Sequence, residues 1–292
     1  MKFKSLFLVI LYSLYCNFVF TKERKIEEEK QKILFISGIG LAATSSYLYL
    51  ENVWWSDEKT SFTFDNGADS RYALNLDKFG HFMGGMIMSD IASQSMIYLG
   101  ENHDKAIWKG AVIGSAVQLG IEIKDAYAPY WGFSKWDLAF GSLGAFWPVA
   151  QHYHSDFRAI NFKFSYWKRS SNHEYLQEKR GRVSGGWHDD YPNQTYWIVF
   201  DVNHFVEVCC WPEWLNIGVG FGIDDKQTLD ENYRKKGGNH EWYITLDYNM
   251  EKLLKKWEGP TAKNIKKVLN YVHFPAPAIR ISPKLAWYPL FL

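Results

Sequence analysis

The residues best suited to chemistry are one histidine and four carboxylates between positions 77 and 137. Asp77 and His81 are four residues apart, and Glu122 and Asp125 are three apart, so each pair would share one face of a helix. Asp137 opens a later apolar segment. If these helix ends converge, a histidine flanked by carboxylates could bind a divalent metal or move a proton. The candidate site is therefore Asp77, His81, Glu122, Asp125 and Asp137, and the ligands of any metal would be His81, Glu122 and Asp125.

A structural role for the same residues is an open alternative. Asp77 and Asp137 would then be helix caps, the histidine would be a core residue with satisfied hydrogen bonds, and Glu122 would pair with Lys78 or Lys124. The distances decide between the two interpretations, because side chains more than roughly 10 Å apart would keep only local capping or pairing roles.

Two further groups contain residue types that bind metals. His152 and His154 form an H-x-H pair that would point to one side of a strand, although a segment leaving a helix could expose both. His188, Asp189 and Asp190 are adjacent but lack an anchoring fourth ligand. Apart from a divalent metal, no cofactor is identified, because the sequence has no phosphate-binding loop and no G-x-S-x-G or H-E-x-x-H motif.

Apolar segments in the first half of the chain must position these residues. Gly80 and Gly84 are four residues apart, as are Gly110 and Gly114, and this spacing lets helix backbones approach closely. Either Asp137 or the preceding Ser134 could cap the last of the helices. The four predicted segments are Ile33 to Leu50, Phe79 to Leu99, Ala106 to Ile123 and Leu138 to Val149.

The sequence period changes to that of β-strands from Ile160 onward. Phe162 and Phe164 alternate with Lys163 and Ser165 in the first predicted strand. A charged surface helix is predicted from Glu251 to Lys267, interrupted at Gly259-Pro260. The other predicted strands are Thr195 to Val208, Leu215 to Ile223, Glu241 to Tyr248 and a fifth at Ala278 to Trp287.

These patterns predict an α+β fold with three parts. Residues 1–21 would be a signal peptide, residues 33–155 a helical domain, and residues 156–292 a β-rich C-terminal region. The helical domain would be a bundle of about four short, glycine-rich apolar helices, and the second region an antiparallel sheet with one surface helix. A mean hydropathy of −0.29 excludes a protein that is mostly membrane-spanning. The helical half is therefore either a compact membrane-embedded unit or a buried soluble bundle.

The first twenty residues indicate export. Lys2 and Lys4 precede an apolar run from Leu6 that continues with few interruptions to Phe20, and a charged stretch follows it. An uncleaved membrane anchor is the alternative, although the run is short for a span of about 20 residues. Cys16 could carry a lipid, but the bulky residue before it is poor for lipid attachment. We expect the protein in the cell envelope, in the periplasm or at the outer membrane of a bacterium.

Composition and charge limit the kinds of partner that the protein could bind. The 292 residues are 47% hydrophobic, with 33 basic and 32 acidic side chains and no long basic run, so a nucleic-acid partner is set aside. Cys209 and Cys210 are adjacent and would bridge each other only with strain, so the fold does not depend on disulfides. The expected partner is a membrane or an envelope lipid.

The motifs together resemble a known family. Asp77-Lys-Phe-Gly-His81, Gln118-Leu-Gly-Ile-Glu122-Ile-Lys-Asp125, Tyr130-Trp-Gly-Phe-Ser-Lys-Trp-Asp137 and Gly141-Ser-Leu-Gly144 are similar to the YfiM-like family of predicted periplasmic lipoproteins, a domain of unknown function. The resemblance covers Trp54 to about His152, and Asp190 to Trp197 with Pro212 to Asn216 would extend it. The order of these motifs also resembles, more distantly, the VanZ-like membrane proteins. Ala139-Phe140 stands where these families usually have an Asn before the glycine, which puts any role of that Asn in doubt.

The resemblance implies an envelope role and supplies no established catalytic residue. One expected function is therefore non-enzymatic, in which a membrane-associated protein binds a lipid or a cell-wall component and the polar cluster stabilises the fold. The alternative is a membrane-associated hydrolase or transferase, in which His81 acts as general base or metal ligand and Asp77 orients it.

Overall fold

The computed structural model describes residues 25–55, 58–67, 70–71, 73–129, 131–168, 170–171, 190–206, 210–226 and 238–292. The predicted signal peptide, Cys16, His188 and Asp189 lie outside these residues. The chain divides into two compact units. One unit consists of residues 1–56 and 250–269, and the other of residues 57–249 and 270–292.

Helices dominate the first half of the chain and strands the second, so the predicted α+β class is confirmed. The helices are α1 Lys25–Trp54, α2 Asp77–Tyr98, α3 His103–Asp125, α4 Lys135–Tyr153, α5 Ser155–Arg158, α6 Val202–Phe205, α7 Met250–Leu253 and α8 Pro260–Leu269. The strands are β1 Ile160–Tyr166, β2 Gln194–Phe200, β3 Leu215–Ile223, β4 His240–Tyr248, β5 Ala276–Ser282 and β6 Ala286–Phe291. A short 3-10 helix spans Tyr191–Asn193.

The first unit contains α1, α7 and α8. The segment Glu29–Trp54 of α1 is long and apolar enough to cross a membrane, and only 6% of its most apolar window is buried. The only other described helix that passes this test is α3, in the second unit, although signal sequences and core helices pass it too. The predicted surface helix is divided into α7 and α8, and Gly259 before α8 has a φ of +106°, which a glycine tolerates.

Helices α2, α3 and α4 pack against one another in the second unit, and we refer to them as the helix trio. Two glycines permit the closest approach. A Cβ atom at Gly85 of α2 would collide with the carbonyl of Gly141 in α4, and one at Gly144 would collide with the carbonyl of Phe82. The backbones of α2 and α4 are therefore in direct contact, which side chains at these positions would prevent.

The six strands form one antiparallel sheet in sequential order, from β1 to β6. Its edge at β1 is also bridged by the chain before β5, because Phe164 donates to the carbonyl of Tyr271 and accepts from the amide of His273, both at 2.9 Å. Two predicted strands differ. The strand predicted from Thr195 ends at Phe200, where the short helix α6 follows, and the last predicted strand is two strands separated at Pro283-Lys284-Leu285. Proline lacks the amide proton that a strand ladder needs.

Both faces of the sheet are packed. Consecutive residues of a strand point to opposite faces. Tyr196 belongs to the core that β2 and β3 share with α2, where Leu76 and Phe82 are buried. Its neighbour Trp197 lies in a second core with Tyr243, on the side of the sheet away from the helix trio. The first core fixes α2, and hence the candidate site, against the sheet.

Candidate functional site

A strained turn precedes the first residues of the site. Leu74 and Asn75 both have positive φ angles, +50° and +64°, immediately before α2. The carbonyl of Leu74 accepts a hydrogen bond from Nε2 of His240 in β4 at 2.9 Å. The N-cap residue is Leu76, which has no capping side chain, so the prediction that Asp77 caps this helix is wrong. Asp77 is instead the first helical residue.

The side chain of Lys78 lies between two carboxylates. Its Nζ is 2.9 Å from Oδ2 of Asp77 and 2.5 Å from Oδ1 of Asp137. All three side chains are buried. A buried ammonium with two carboxylate partners ties the first turn of α2 to the first turn of α4, so Asp137 has an electrostatic role as well as a place near the helix cap.

His81 lies one turn further along α2 and contacts α3. Its Nδ1 is 2.9 Å from Oε1 of Gln118, a hydrogen bond in which the imidazole N–H donates, and 3.7 Å from Oε1 of Glu122. Glu122 is fully buried, and its Oε2 accepts from the backbone amide of Ser134 at 2.8 Å. Ser134 also caps α4, because its hydroxyl accepts from the amide of Asp137 at 3.2 Å.

Two glycines make room for Gln118, which is itself buried. A Cβ atom at Gly141 of α4 would lie 2.6 Å from Cγ of Gln118, and one at Gly84 of α2 would lie 3.1 Å from its Nε2. Gly84 was predicted to serve the approach of helix backbones. In the structure it and Gly141 form a slot for the amide that holds His81.

An extended segment fixes the loop between α3 and α4. The amide of Thr63 donates to the carbonyl of Ala126, and the amide of Phe133 donates to the carbonyl of Thr63, both at 2.9 Å. A Cβ atom at Gly132 would lie 2.6 Å from the backbone of this segment. The loop that carries Ser134 is therefore held on both sides before α4 begins.

The structure brings three of the predicted residues within reach of one ion. Ligand atoms of His81, Glu122 and Asp137 lie within 4.8 Å of one another, so this group could hold a metal. Asp125, proposed from the sequence as the third ligand, is not part of the group. It is the last residue of α3, where its carbonyl accepts from the amide of Ala128 as the chain turns away. The third residue is Asp137, because the start of α4 meets the start of α2.

The cluster combines the carboxyl groups of Asp77, Glu122 and Asp137 with the amine of Lys78. Tyr196 lies beside them, and both its burial and the charge of Asp77 raise the pKa of its phenol above the usual range, so it stays protonated. We call these residues, with His81 and Gln118, the His81 centre.

The other metal candidates have different partners. His152 lies close to His103, with ring centroids 4.9 Å apart, whereas His154 contacts the ring of Phe157. The H-x-H pair is thus divided between two neighbourhoods. Asp190 is buried and accepts from the amide of Ser170 at 2.8 Å and from the hydroxyl of Tyr166 at 2.9 Å, which is a structural role.

Sequence reasoning did not find the roles of Lys78 and Gln118. Gln118 is one helical turn before Glu122, and Lys78 follows Asp77 directly, so the spacing placed both near the site. A second buried polar group, on the face of the sheet away from the helix trio, was also not predicted from the sequence. There Lys163 contacts Asp247 and donates to the carbonyl of Tyr248 at 2.7 Å, and Nδ1 of His273 lies 2.6 Å from Oδ2 of Asp247.

Comparisons of the chain with protein-family models, with curated proteins and with solved structures give no match. The resemblance to the YfiM-like and VanZ-like families therefore stays a prediction.

Proposed function

We propose that this is a membrane-associated protein of the cell envelope that rests on a lipid bilayer through α3 and binds a lipid or cell-wall component at the His81 centre. The observation that carries the proposal is the outer surface of α3. From residue 110 to 121 this helix has no charged residue, and its side away from α2 and α4 is an exposed apolar face. The exposed residues of this α3 face are Val112, Ile113, Val117, Leu119 and Ile123.

Aromatic side chains stand at both ends of the α3 face. Trp108 is exposed at one end and donates from its indole to the hydroxyl of Tyr153 at 3.3 Å. Tyr127 is exposed at the other end beside Phe62. Trp108 and Asp125 are separated by about 26 Å along the helix axis at 1.5 Å per residue. Aromatic residues that flank an apolar surface are typical of proteins whose surfaces meet the headgroup region of a bilayer.

A bilayer is a better occupant of the α3 face than a soluble partner because the same chain contains α1. That helix is long and apolar enough to span a membrane. A chain held at the bilayer by one segment presents its other surfaces to lipid at a high effective concentration, so a modest apolar area suffices for contact. Among the described residues the edge strand β6 pairs only with β5, and an open strand edge is not stable within lipid, which favours contact at the membrane surface over immersion of the second unit.

Depth measurements on the full chain test this contact. Val112→Cys and the control Lys284→Cys, in a background with the native cysteines replaced, would carry an environment-sensitive fluorophore in lipid nanodiscs. Lys284 lies in the exposed turn between β5 and β6. We expect spin-labelled lipids to quench the label at position 112 and to leave the label at position 284 bright. Equal, weak quenching at both positions would contradict the proposal.

The His81 centre is proposed to bind a divalent cation. Ligand atoms of His81, Glu122 and Asp137 lie within 4.8 Å of one another, and both carboxyl side chains are buried, so one divalent cation could contact all three. One imidazole and two carboxylates, from His81, Glu122 and Asp137, suit ions such as Mn²⁺ or Zn²⁺, and a cation bound there would attract the phosphate or carboxylate of a lipid or cell-wall component.

Mn²⁺ titration followed by electron paramagnetic resonance tests the cation. Glu122→Gln should lower the affinity for Mn²⁺ by about tenfold or more, since even outer-shell partners of metals are worth that much. Asp125→Asn is the matched control, because Asp125 is on the same helix and outside the group. The cation proposal fails if Glu122→Gln binds Mn²⁺ as the wild type does, or if Asp125→Asn loses affinity equally.

A hydrolase or transferase is the second candidate, and one observation favours it. The side chain of His81 is 19% exposed, whereas that of Glu122 is 1% exposed, so the group suited to be a general base has access to solvent. Its hydrogen bond to Gln118 leaves the other ring nitrogen as the basic one. Phosphatidylglycerol vesicles with Mn²⁺ distinguish the two functions. Release of a water-soluble phosphate by the wild type and not by His81→Ala would favour the enzyme, and binding without release would favour the binding protein.

A further inference from the structure

Two histidines and an aspartate meet at the surface where α3 begins and α4 ends. His103 and Asp104 are the first two residues of α3, and His152 is the second-last residue of α4. Ligand atoms of the three side chains lie within 4.8 Å of one another. We propose that these residues form a zinc-binding site, separate from the His81 centre, that joins the two helix ends.

The helix packing keeps the three side chains together. Trp108 of α3 donates to the hydroxyl of Tyr153 in α4, and the Trp108 ring packs edge-on against that of Phe146 with centroids 5.9 Å apart. These contacts lie within two turns of the proposed site. The ligands therefore come from two elements whose relative position the core has already fixed, which lowers the cost of ordering them around an ion.

The residue types are those that Zn²⁺ prefers. Imidazole nitrogens bind it at about 2.0–2.1 Å and carboxylate oxygens at about 2.0–2.2 Å, and three protein ligands leave a fourth position for water. A tetrahedral site with these bond lengths has ligand atoms about 3.3–3.5 Å apart. His103 and Asp104 are exposed, so small rotations of their side chains can close the remaining distance.

An ion pair between helix ends does not account for all three residues. Nε2 of His152 is 2.8 Å from Oδ1 of Asp104, which explains two of them. The ring of His103 is also held 4.9 Å from that of His152, between centroids. One zinc ion would use a ring nitrogen of each histidine together with the carboxylate of Asp104, so it accounts for all three side chains.

Zinc titration of the full chain carrying Glu122→Gln, in detergent and with a chromophoric chelator as competitor, tests this site apart from the His81 centre. His103→Ala and His152→Ala should each lower the affinity for Zn²⁺ by about tenfold or more. His154→Ala is the matched control, because His154 is two residues away and contacts the ring of Phe157 instead. His103 and His154 are exposed and His152 is half-buried, so none of the three changes empties a core position and the variants should fold.

A second measurement separates this site from the His81 centre. Zinc should raise the melting temperature of Glu122→Gln, in which the His81 centre is impaired, and should not raise that of the double variant Glu122→Gln/His103→Ala. The inference is overturned if His103→Ala and His152→Ala keep the zinc affinity of the Glu122→Gln parent, or if His154→Ala lowers it to the same extent. Glu122→Gln alters only the His81 centre. If the cation proposal for the His81 centre fails, the result for His103 and His152 can therefore still be interpreted.

Discussion

Gln118 holds His81 at 2.9 Å from within a slot that two glycines leave open. The amide is buried and comes from α3, whereas the imidazole belongs to α2 and the tightest glycine of the slot, Gly141, to α4. One hydrogen bond therefore depends on the packing of all three helices. The orientation of His81 is a property of the helix trio and does not depend on a local loop.

Gly141→Ala should destabilise the protein, although alanine is the better helix former. The added Cβ would lie 2.6 Å from Cγ of Gln118, and overpacking of this kind costs about 1–3 kcal/mol. Gly120→Ala is the control, because a Cβ added there would meet no described atom of another element within 4 Å. This variant should stabilise the protein by up to about 1 kcal/mol. Chemical denaturation in mild detergent measures both free energies of unfolding.

The same pair of variants reports on the site. In Gly141→Ala the displaced amide should weaken the hydrogen bond to His81 and change the ¹⁵N chemical shifts of its ring. Gly120→Ala should leave those shifts unchanged. If Gly141→Ala is as stable as the wild type and keeps the shifts of His81, the slot does not position Gln118.

Lys78→Met should be among the most destabilising changes near the site. It removes the ammonium between Asp77 and Asp137 and leaves two buried carboxylates beside each other. Breaking a buried ion pair from one side costs about 3–5 kcal/mol. The double variant Lys78→Met/Asp137→Asn should be less destabilised than the single one at neutral pH, and strictly additive losses would argue against the pairing.

Periodicity was enough to predict the fold class and most elements of the second unit. Strand β3 coincides with its predicted range, and β4 begins one residue early, because β3 alternates apolar residues with glycines and β4 alternates apolar with more polar residues. Helices α2, α3 and α4 match the apolar segments, and Ser134 caps α4 as one of the two predicted alternatives. These features follow from local sequence, which periodic patterns describe well.

The detail of the site depends on contacts between elements, which one sequence does not reveal. Gln118 is uncharged and would be unremarkable on a helix, and only its slot between α2 and α4 shows its role. Asp125 has the right spacing from Glu122, yet it lies where α3 ends and the chain turns. Lys163 alternates with aromatic residues as a surface lysine would, but it is buried opposite Trp197 of β2, where it contacts Asp247 and the carbonyl of Tyr248.

The burial of Lys163 predicts a dependence of stability on pH. Burial lowers the pKa of its ammonium below the usual 10.5, although the charge of Asp247 opposes the shift. Between the lowered pKa and 10.5 the unfolded chain binds more protons than the folded one, so the contribution of Lys163 to stability rises with pH in that interval. Lys163→Met lacks this contribution. The free energy of unfolding of the wild type minus that of the variant should therefore increase as the pH rises toward 10.5.

Lys284→Met is the control for this experiment, because Lys284 is exposed in the turn between β5 and β6. Its difference from the wild type should stay constant across the same pH range. A constant difference for Lys163→Met as well would show that the folded chain does not perturb the ammonium of Lys163.

The turn before α2 connects the sheet to the site and predicts an asymmetric response at Asn75. Asn75 has a φ of +64°, a conformation that asparagine and glycine tolerate and that a β-branched residue does not. Asn75→Gly should therefore keep the wild-type stability within about 1 kcal/mol, whereas Asn75→Val should lose about 1–3 kcal/mol. Asp77 and Lys78 follow Asn75 by two and three residues, so a distorted turn would displace them. Asn75→Val should therefore also weaken Mn²⁺ binding at the His81 centre, whereas Asn75→Gly should not. Equal effects of the two substitutions on stability would mean that the turn relaxes without strain, and the positive φ of Asn75 would then have no part in fixing the start of α2.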